Sequence, residues 1–253
     1  MLQCVTLWIG ERLGAVERAC LRSVLRQDHR VALYCYRPPM GIPDGVEVRD
    51  AAEILPEREV FRTHGGSVAA FSDWFRYELQ RVGAGTWVDT DMYLLRPIDE
   101  ARPYLFGEEA SGVLNNAVLR LPAGSPMLRP LLSPFAGERP YWLIPRRKVL
   151  SRVRESLLGP PSIASMPWGT TGPAALTAVA RDQGFIDDAQ PEDVFYPMPW
   201  TRADWIVDPE TKLQSVTTER TVGVHLWNEM IKRFKSKPAQ AGSFLAQLQR
   251  EGA

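Results

Sequence analysis

The chain has 253 residues, of which 45% are hydrophobic, so it is long enough for one large domain or two small ones with an ordinary core. Lysine plus arginine and aspartate plus glutamate each number 30, and this zero formal charge gives no global electrostatic reason to expect a nucleic-acid partner. The N-terminus lacks a basic segment before a long apolar run, and no apolar run approaches about 18 residues, so neither a signal peptide nor a membrane span is predicted. Cys4, Cys20 and Cys35 lack CxxC spacing and indicate reduced structural thiols. We therefore expect a cytoplasmic protein and leave open peripheral contact with the inner face of a membrane.

The first third of the chain alternates β-rich and helical patterns. Residues 4–9 form a β-rich run, and apolar residues then recur at three- and four-residue steps from Leu13 to Leu25. Residues 31–36 predict a second strand, and 46–49 a short third one. This β-α-β opening predicts a parallel sheet with helices on its faces.

A helix, a glycine-rich turn and a strand are predicted within residues 71–98. The apolar stripe of the helix comprises Phe71, Phe75, Leu79 and Val82. Asp73 and Arg76 lie across the helix from that stripe. Periodicity alone therefore predicts a surface i,i+3 ion pair that contributes only about 0.2–0.5 kcal/mol. Residues 86–88 form the strand that follows.

Two carboxylates, Asp89 and Asp91, follow that strand directly. Side chains alternate along a strand, so residues at i and i+2 point the same way. Two converging carboxylates suit a hard divalent cation such as Mn²⁺ or Mg²⁺. A solvated turn is the plain alternative. A phosphohydrolase of the haloacid dehalogenase type, with Asp89 as nucleophile, is another, although that motif usually closes the first strand of its domain.

The second half of the chain has weaker patterns. We predict strands over 112–121 and 222–227, an extended segment over 194–200, and helices over 148–158, 173–182 and 238–251. The segment 146–154 is locally basic, which is compatible with a solvated helix face or with contact to an acceptor or an anionic lipid. Neither an internal repeat nor a low-complexity linker is present, so one domain is the simpler prediction.

Several motifs occur in a distinctive order along the chain. They are the first-strand sequence Leu7-Trp8-Ile9-Gly10, the SDxxR helix at 72–76, the DxD at 89–91, the strand with Asn115 and Asn116, and the late strand with Trp227. In this order they resemble the sugar-binding region of retaining GT-A glycosyltransferases. The sequence is most similar to the family of yeast α-1,6-mannosyltransferases and bacterial capsular sugar transferases, and to the glucosyltransferase domain of large clostridial toxins. The resemblance covers residues 5–36 and 68–120 and thins downstream.

This resemblance implies an α/β fold, a single GT-A (Rossmann-like) domain with a mixed sheet flanked by helices over residues 1–253. Residues 1–120 would be the nucleotide-sugar-binding half, and 121–253 the acceptor-side half with a C-terminal helix. The implied function is metal-dependent transfer, with retention, from a nucleotide-diphosphate sugar, a UDP-sugar by expectation, to a glycan or glycolipid in bacterial polysaccharide biosynthesis. A module that binds nucleotide sugar without transferring it is the alternative.

The resemblance also implies roles for four residues at the centre of the chemistry. Asp91 would contact Mn²⁺ or Mg²⁺ directly, while Asp89 would hold donor hydroxyls and the metal shell. Asp73 and Arg76 would face the cleft and hydrogen-bond the donor sugar. These four residues are the predicted catalytic set.

The remaining predicted site residues each have an ordinary structural alternative. Trp8 would stack on the nucleotide base, or be a core aromatic residue. Asn116, or Asn115, would contact the donor sugar, or lie in a turn. His225 would be the third metal ligand, since a neutral imidazole is acceptable to Mn²⁺, or a half-buried structural histidine. Trp227 would cover the diphosphate or the sugar with its indole N–H.

Overall fold

The computed structural model describes residues 1–138, 140–143 and 163–253. The predicted helix over 148–158 and the basic segment 146–154 lie outside this part. The strands of the described residues are β1 (Gln3–Leu7), β2 (Arg30–Cys35), β3 (Val46–Asp50), β4 (Thr86–Val88), β5 (Met92–Leu94), β6 (Leu105–Ala110), β7 (Val113–Arg120) and β8 (Gly223–His225). Six of them form one mixed sheet in the order β3-β2-β1-β4-β7-β6, and β5 and β8 form a second, two-stranded sheet.

Helices flank the main sheet. They are α1 (Ala15–Arg26), α2 (Ala69–Arg81), α3 (Leu128–Leu132), α4 (Pro173–Asp182), α5 (Glu192–Phe195), α6 (Leu213–Val216), α7 (Asn228–Lys235) and α8 (Phe244–Glu251). Side chains alternate along β1, so Cys4 joins the apolar cluster that contains α1, whereas Val5 joins the cluster that contains α2 and α4. The predicted fold class, an α/β mixed sheet flanked by helices, is confirmed.

The β-α-β opening is also confirmed. β1 pairs in parallel with β2, and β2 pairs in parallel with β3. β4 lies on the other side of β1 and is also parallel to it, with Val5 opposite Trp87. The carboxyl ends of β1 and β4 are therefore neighbours, which brings the region of Trp8 beside the region of Asp89.

The asparagine strand β7 runs antiparallel to β4, with Val88 opposite Val118. The pairing continues past the end of β4, because the Asp89 N–H donates a 2.8 Å hydrogen bond to the Ala117 carbonyl. This register places Asn115 and Asn116 next to the acidic pair.

Several local predictions are wrong. Residues 194–200 are not one extended segment, because α5 includes Phe195 and a 3₁₀ helix spans Trp200–Val207. The late strand ends at His225, and Trp227 lies beyond it in the left-handed region with φ of 56°. The last helix begins at Phe244 instead of residue 238. Ser243 caps its N-terminus, because the Ser243 hydroxyl accepts a hydrogen bond from the Ala246 N–H. The strands β5 and β6 and the helix α7 are absent from the sequence-based predictions.

Among the described residues, no helix has the length and apolar character needed to cross a bilayer.

Candidate active site

A cleft of about 780 Å³ opens at the carboxyl ends of β1 and β4. Ligand sites of α/β proteins commonly occur at this edge of the sheet. All of the predicted site residues line the cleft: Trp8, Asp73, Arg76, Asp89, Asp91, Asn115, Asn116, His225 and Trp227. The structure thus brings together residues that are up to 219 positions apart, as in the case of Trp8 and Trp227.

Asp89, Asp91 and His225 form a compact cluster at the floor of this cleft. One ligand atom from each lies within 4.8 Å of the others. His225 Nε2 is 3.3 Å from Asp91 Oδ2 and 4.0 Å from Asp89 Oδ2. The carboxylates converge through a turn and not through strand alternation, because β4 ends at Val88 and the Met92 N–H donates to the Asp89 carbonyl.

The donor set of this cluster fits a divalent metal ion. Two carboxylates and one imidazole are acceptable ligands for Mn²⁺, and the carboxylates also suit Mg²⁺. Asp91 and His225 are buried, and burial of unsatisfied polar groups is costly. Within the described residues, buried His225 Nδ1 has no hydrogen-bond partner, so its tautomer is not fixed from that side.

The electrostatics differ between the two aspartates. Burial acts to raise the pKa of Asp91, but the His225 imidazole and the Asn228 N–H outweigh it, so the pKa is lowered. Burial also raises the pKa of Asp89, and there Arg76 offsets only part of the effect while the charge of Asp91 adds to it. Asp91 is therefore the more firmly ionised of the pair.

Arg76 links the acidic cluster to the helix α2. Its Nη2 is 3.1 Å from Asp89 Oδ1, and its Nε is 3.6 Å from Asp73 Oδ1. The guanidinium lies over the Trp87 ring at 4.6 Å, and the Trp87 indole N–H donates a 2.6 Å hydrogen bond to Asp89 Oδ1. Arg76 is only 5% exposed. The i,i+3 pair that periodicity predicts is present, but its predicted place at the surface is wrong, because both residues are buried and face the cleft.

Asp73 is the centre of a second buried network. The Asn116 side-chain amide donates a 2.9 Å hydrogen bond to Asp73 Oδ1, and the Thr171 hydroxyl donates a 2.8 Å bond to Oδ2. Burial raises the pKa of Asp73, and Arg76 and these donors offset part of the rise. Glycine at 172 permits this close approach, because a Cβ there would lie 2.9 Å from both carboxylate oxygens of Asp73.

Sequence reasoning missed Glu109, Thr171 and Tyr196. Glu109 lines the cleft and accepts a 2.6 Å hydrogen bond from the Asn115 side-chain amide. It lies where the pairing of β6 with β7 shifts register, and such irregularities re-aim side chains beside functional sites. Burial raises the pKa of Glu109. The hydroxyl of Tyr196 is 3.3 Å from Asn115 Oδ1, and the centre of the Tyr196 ring lies 5.7 Å from that of the His225 ring.

The two predicted tryptophans differ in what they can offer a ligand. Trp8 is half-buried, and its buried Nε1 has no hydrogen-bond partner among the described residues. Trp227 is buried, its ring centre lies 4.3 Å from that of His225, and its indole N–H donates a 2.8 Å bond to the Met198 carbonyl. The N–H that we expected to reach the donor is thus already used within the protein, which leaves Trp227 packing against His225.

One comparison with known protein families bears on the enzyme class. Residues 165–251 match the family model described as the alpha 1,4-glycosyltransferase conserved region, and this span contains Thr171, His225 and Trp227. The match confirms the predicted enzyme class, a glycosyltransferase. A solved structure described as PaToxG glycosyltransferase is similar with a TM-score of 0.42 and 10% identity, over 72% of this chain and 69% of that one. No curated protein matches the chain.

Proposed function

We propose that this glycosyltransferase is metal-dependent and moves a sugar from a nucleotide-diphosphate donor, a UDP-sugar, to a glycan or glycolipid with retention of configuration. The observation that carries the proposal is the convergence of Asp89, Asp91 and His225 within 4.8 Å, on the floor of a cleft that also holds Asp73 and Arg76. A cation-binding group next to a buried, hydrogen-bonded polar network is what a charged diphosphate joined to a sugar requires.

Asp91, Asp89 and His225 are the residues that would hold Mn²⁺ or Mg²⁺. When bound, such an ion supplies Lewis-acid stabilisation of the charge that develops on the leaving diphosphate. Arg76 holds Asp89 in place through Oδ1, which leaves Oδ2 directed toward His225. The Asn228 backbone N–H restrains Asp91 by donating to Oδ2, the oxygen that also faces His225.

The second network positions the donor sugar. Asp73 and Asn116 are fixed against each other, and both line the cleft. The Asp73 carboxylate keeps acceptor capacity for sugar hydroxyls, while Trp8 offers an indole face to the nucleotide base. Rigid placement of these groups lowers the entropic cost of reaching a reactive geometry.

The proposed transfer step is a front-face substitution at the anomeric carbon. The bond between the anomeric carbon and the diphosphate oxygen breaks as the acceptor oxygen bonds to that carbon on the same face. The acceptor hydroxyl proton passes to the departing phosphate oxygen, so no protein base is needed. Analysis of the product by NMR tests this, and an inverted anomeric configuration would contradict it.

The phosphohydrolase alternative needs Asp89 as a free nucleophile. Asp89 Oδ1 instead accepts the Trp87 indole N–H and pairs with Arg76. These contacts favour a structural and ligand-binding role for Asp89. Trapping of a phospho-aspartate at this position would overturn the transferase proposal.

A thermal-shift screen of nucleotide sugars, with and without Mn²⁺, tests the donor. A ligand at 100-fold its dissociation constant should add about 2.7 kcal/mol of stability. We expect one UDP-sugar to stabilise the protein only in the presence of Mn²⁺ and to be hydrolysed slowly. Asp91→Ala should remove both effects. Equal hydrolysis by wild type and Asp91→Ala would refute the metal-dependent mechanism, and binding without turnover in any acceptor mixture would favour the non-catalytic module.

A further inference from the structure

The tripeptide Met-Pro-Trp occurs twice in the chain, at 166–168 and at 198–200. Both tryptophans line the cleft, and both are unusually exposed: Trp168 is 67% and Trp200 54% accessible. The other six of the eight tryptophans are buried or half-buried. Large exposed apolar surface beside a binding cleft commonly marks a ligand contact.

The segment 198–200 contacts the side of the site that contains His225, and the segment 166–168 contacts the side that contains Asp73. The Trp227 indole N–H donates to the Met198 carbonyl, and Trp227 packs on the predicted metal ligand His225. On the other side, the Thr170 N–H donates a 3.2 Å bond to the Pro167 carbonyl, and the next residue, Thr171, binds Asp73. Proline restricts the backbone directly before each indole. The backbone that carries each exposed indole is therefore tethered to residues of the predicted site.

Among the described residues that line the cleft, the lysines of α7 are balanced by anions, which favours a neutral ligand. Two lysines of α7 line the cleft, and each is paired: Lys232 with Glu229 at 3.7 Å, and Lys235 with Glu17. Neither offers an uncompensated cation to an anionic head group. Met230, another exposed apolar residue of the cleft, is 44% accessible.

We propose that Trp168 and Trp200 form the acceptor subsite and bind a pyranose ring of a neutral glycan through its apolar C–H face. The negatively polarised face of an indole attracts the positively polarised C–H groups of a sugar and also buries apolar area. The deep part of the cleft is polar and ionic and suits the donor, whereas the mouth presents flat aromatic surface. This inference rests on the proposed function, because an acceptor subsite presupposes glycosyl transfer.

The test begins with binding, which does not depend on catalysis. Lactose, maltotriose and triacetylchitotriose are titrated while intrinsic tryptophan fluorescence is recorded, with wild type, Trp168→Ala, Trp200→Ala and the conservative Trp168→Phe and Trp200→Phe. We expect at least one glycan to change wild-type fluorescence saturably. Its dissociation constant should rise at least tenfold in each alanine variant and less than threefold in each phenylalanine variant. Binding of none of these glycans, or equal affinity in the alanine variants, would overturn the subsite.

The second measurement is the ratio of glycosyl transfer to donor hydrolysis, with the glycan that binds as acceptor. The ratio should fall at least tenfold in the alanine variants through a higher KM for the acceptor. Tyr141→Ala is the matched control, because Tyr141 is an exposed aromatic residue that does not line the cleft, and the ratio should equal that of wild type. Saturable glycan binding in a protein that hydrolyses no donor would refute the proposed function and leave the subsite standing. If the variants lose binding to phosphatidylglycerol vesicles while their acceptor KM is unchanged, the indoles contact a membrane and the proposal is wrong.

Discussion

The backbone N–H of Asn228 donates a 2.8 Å hydrogen bond to Asp91 Oδ2, across 137 positions of sequence. Asn228 is the first residue of α7, and a helix N-terminus stabilises a negative charge. The backbone carbonyl of Asp91 also accepts the Leu226 N–H at 3.0 Å. The aspartate turn and the late segment with His225 are thus held together by backbone contacts, which do not depend on a bound ion.

Asp91→Asn should separate the charge of this residue from its shape. The amide oxygen can still accept from Asn228, but the loss of charge should weaken Mn²⁺ binding by about 100-fold or more, since even residues that only support a ligand cost 10–100-fold. Isothermal titration calorimetry with Mn²⁺ measures this. Asp99→Asn is the control, because Asp99 is an exposed carboxylate outside the cleft. Equal Mn²⁺ affinity of Asp91→Asn and wild type would place the ion elsewhere.

The sequence allowed the β-α-β opening and the cluster of predicted site residues to be anticipated, for identifiable reasons. The core-facing stripe of α1 repeats with helical spacing, and β1 and β2 are short apolar runs, so local pattern is sufficient there. For Asp73 and Arg76 local pattern is not sufficient, since periodicity predicts that they face solvent and only the motif resemblance predicts that they face the cleft.

The remaining features depend on long-range contacts. β5 and β8 have only three residues each and are strands because they pair with each other, with Met92 opposite His225. Glu109 faces the cleft because the pairing of β6 with β7 shifts register there, and no pattern in the sequence predicts this shift. Thr171 reaches Asp73 across 98 positions, and the only local signal was the glycine that follows it, which permits close approach.

Arg76→Lys tests whether the planar guanidinium is required. A lysine keeps the charge but cannot serve Asp73, Asp89 and the Trp87 ring together. We expect a loss of about 1–3 kcal/mol in the free energy of unfolding, because a buried carboxylate loses a partner, and weaker donor binding. Urea denaturation and the thermal shift with donor measure the two effects.

Arg81→Lys is a matched control on the same helix. The Arg81 side chain is 55% exposed and pairs with the half-buried Glu78, and a lysine can keep this single pairing, so stability should change by less than about 0.5 kcal/mol. If Arg76→Lys were as stable as Arg81→Lys and bound donor equally well, the central role of the guanidinium would be disproved.

Gly172→Ala should disturb the Asp73 network without replacing a charged residue. The new methyl group would lie 2.9 Å from both Asp73 carboxylate oxygens and 3.2 Å from the Asn116 amide nitrogen. Overpacking of this kind costs about 1–3 kcal/mol, and displacement of Asp73 should also weaken donor binding. Gly124→Ala is the control, since a Cβ there meets no atom within 4 Å. Thermal unfolding and donor titration compare the two variants, and identical behaviour would show that the network tolerates the methyl group.

Glu109→Gln distinguishes front-face transfer from a mechanism with a covalent glycosyl-enzyme. Burial raises the pKa of Glu109, which disfavours the ionised form that a nucleophile or base requires. A glutamine oxygen can still accept the Asn115 amide, so we expect kcat to fall by less than tenfold and the product configuration to be retained. Loss of a catalytic base would instead cost about 10²–10⁴-fold. The neighbouring Glu108→Gln is the control, because Glu108 accepts the Gly112 N–H and does not line the cleft. Mass spectrometry of donor-treated protein supplies the decisive reading, since a sugar attached to Glu109 would establish the covalent route in place of the front-face one.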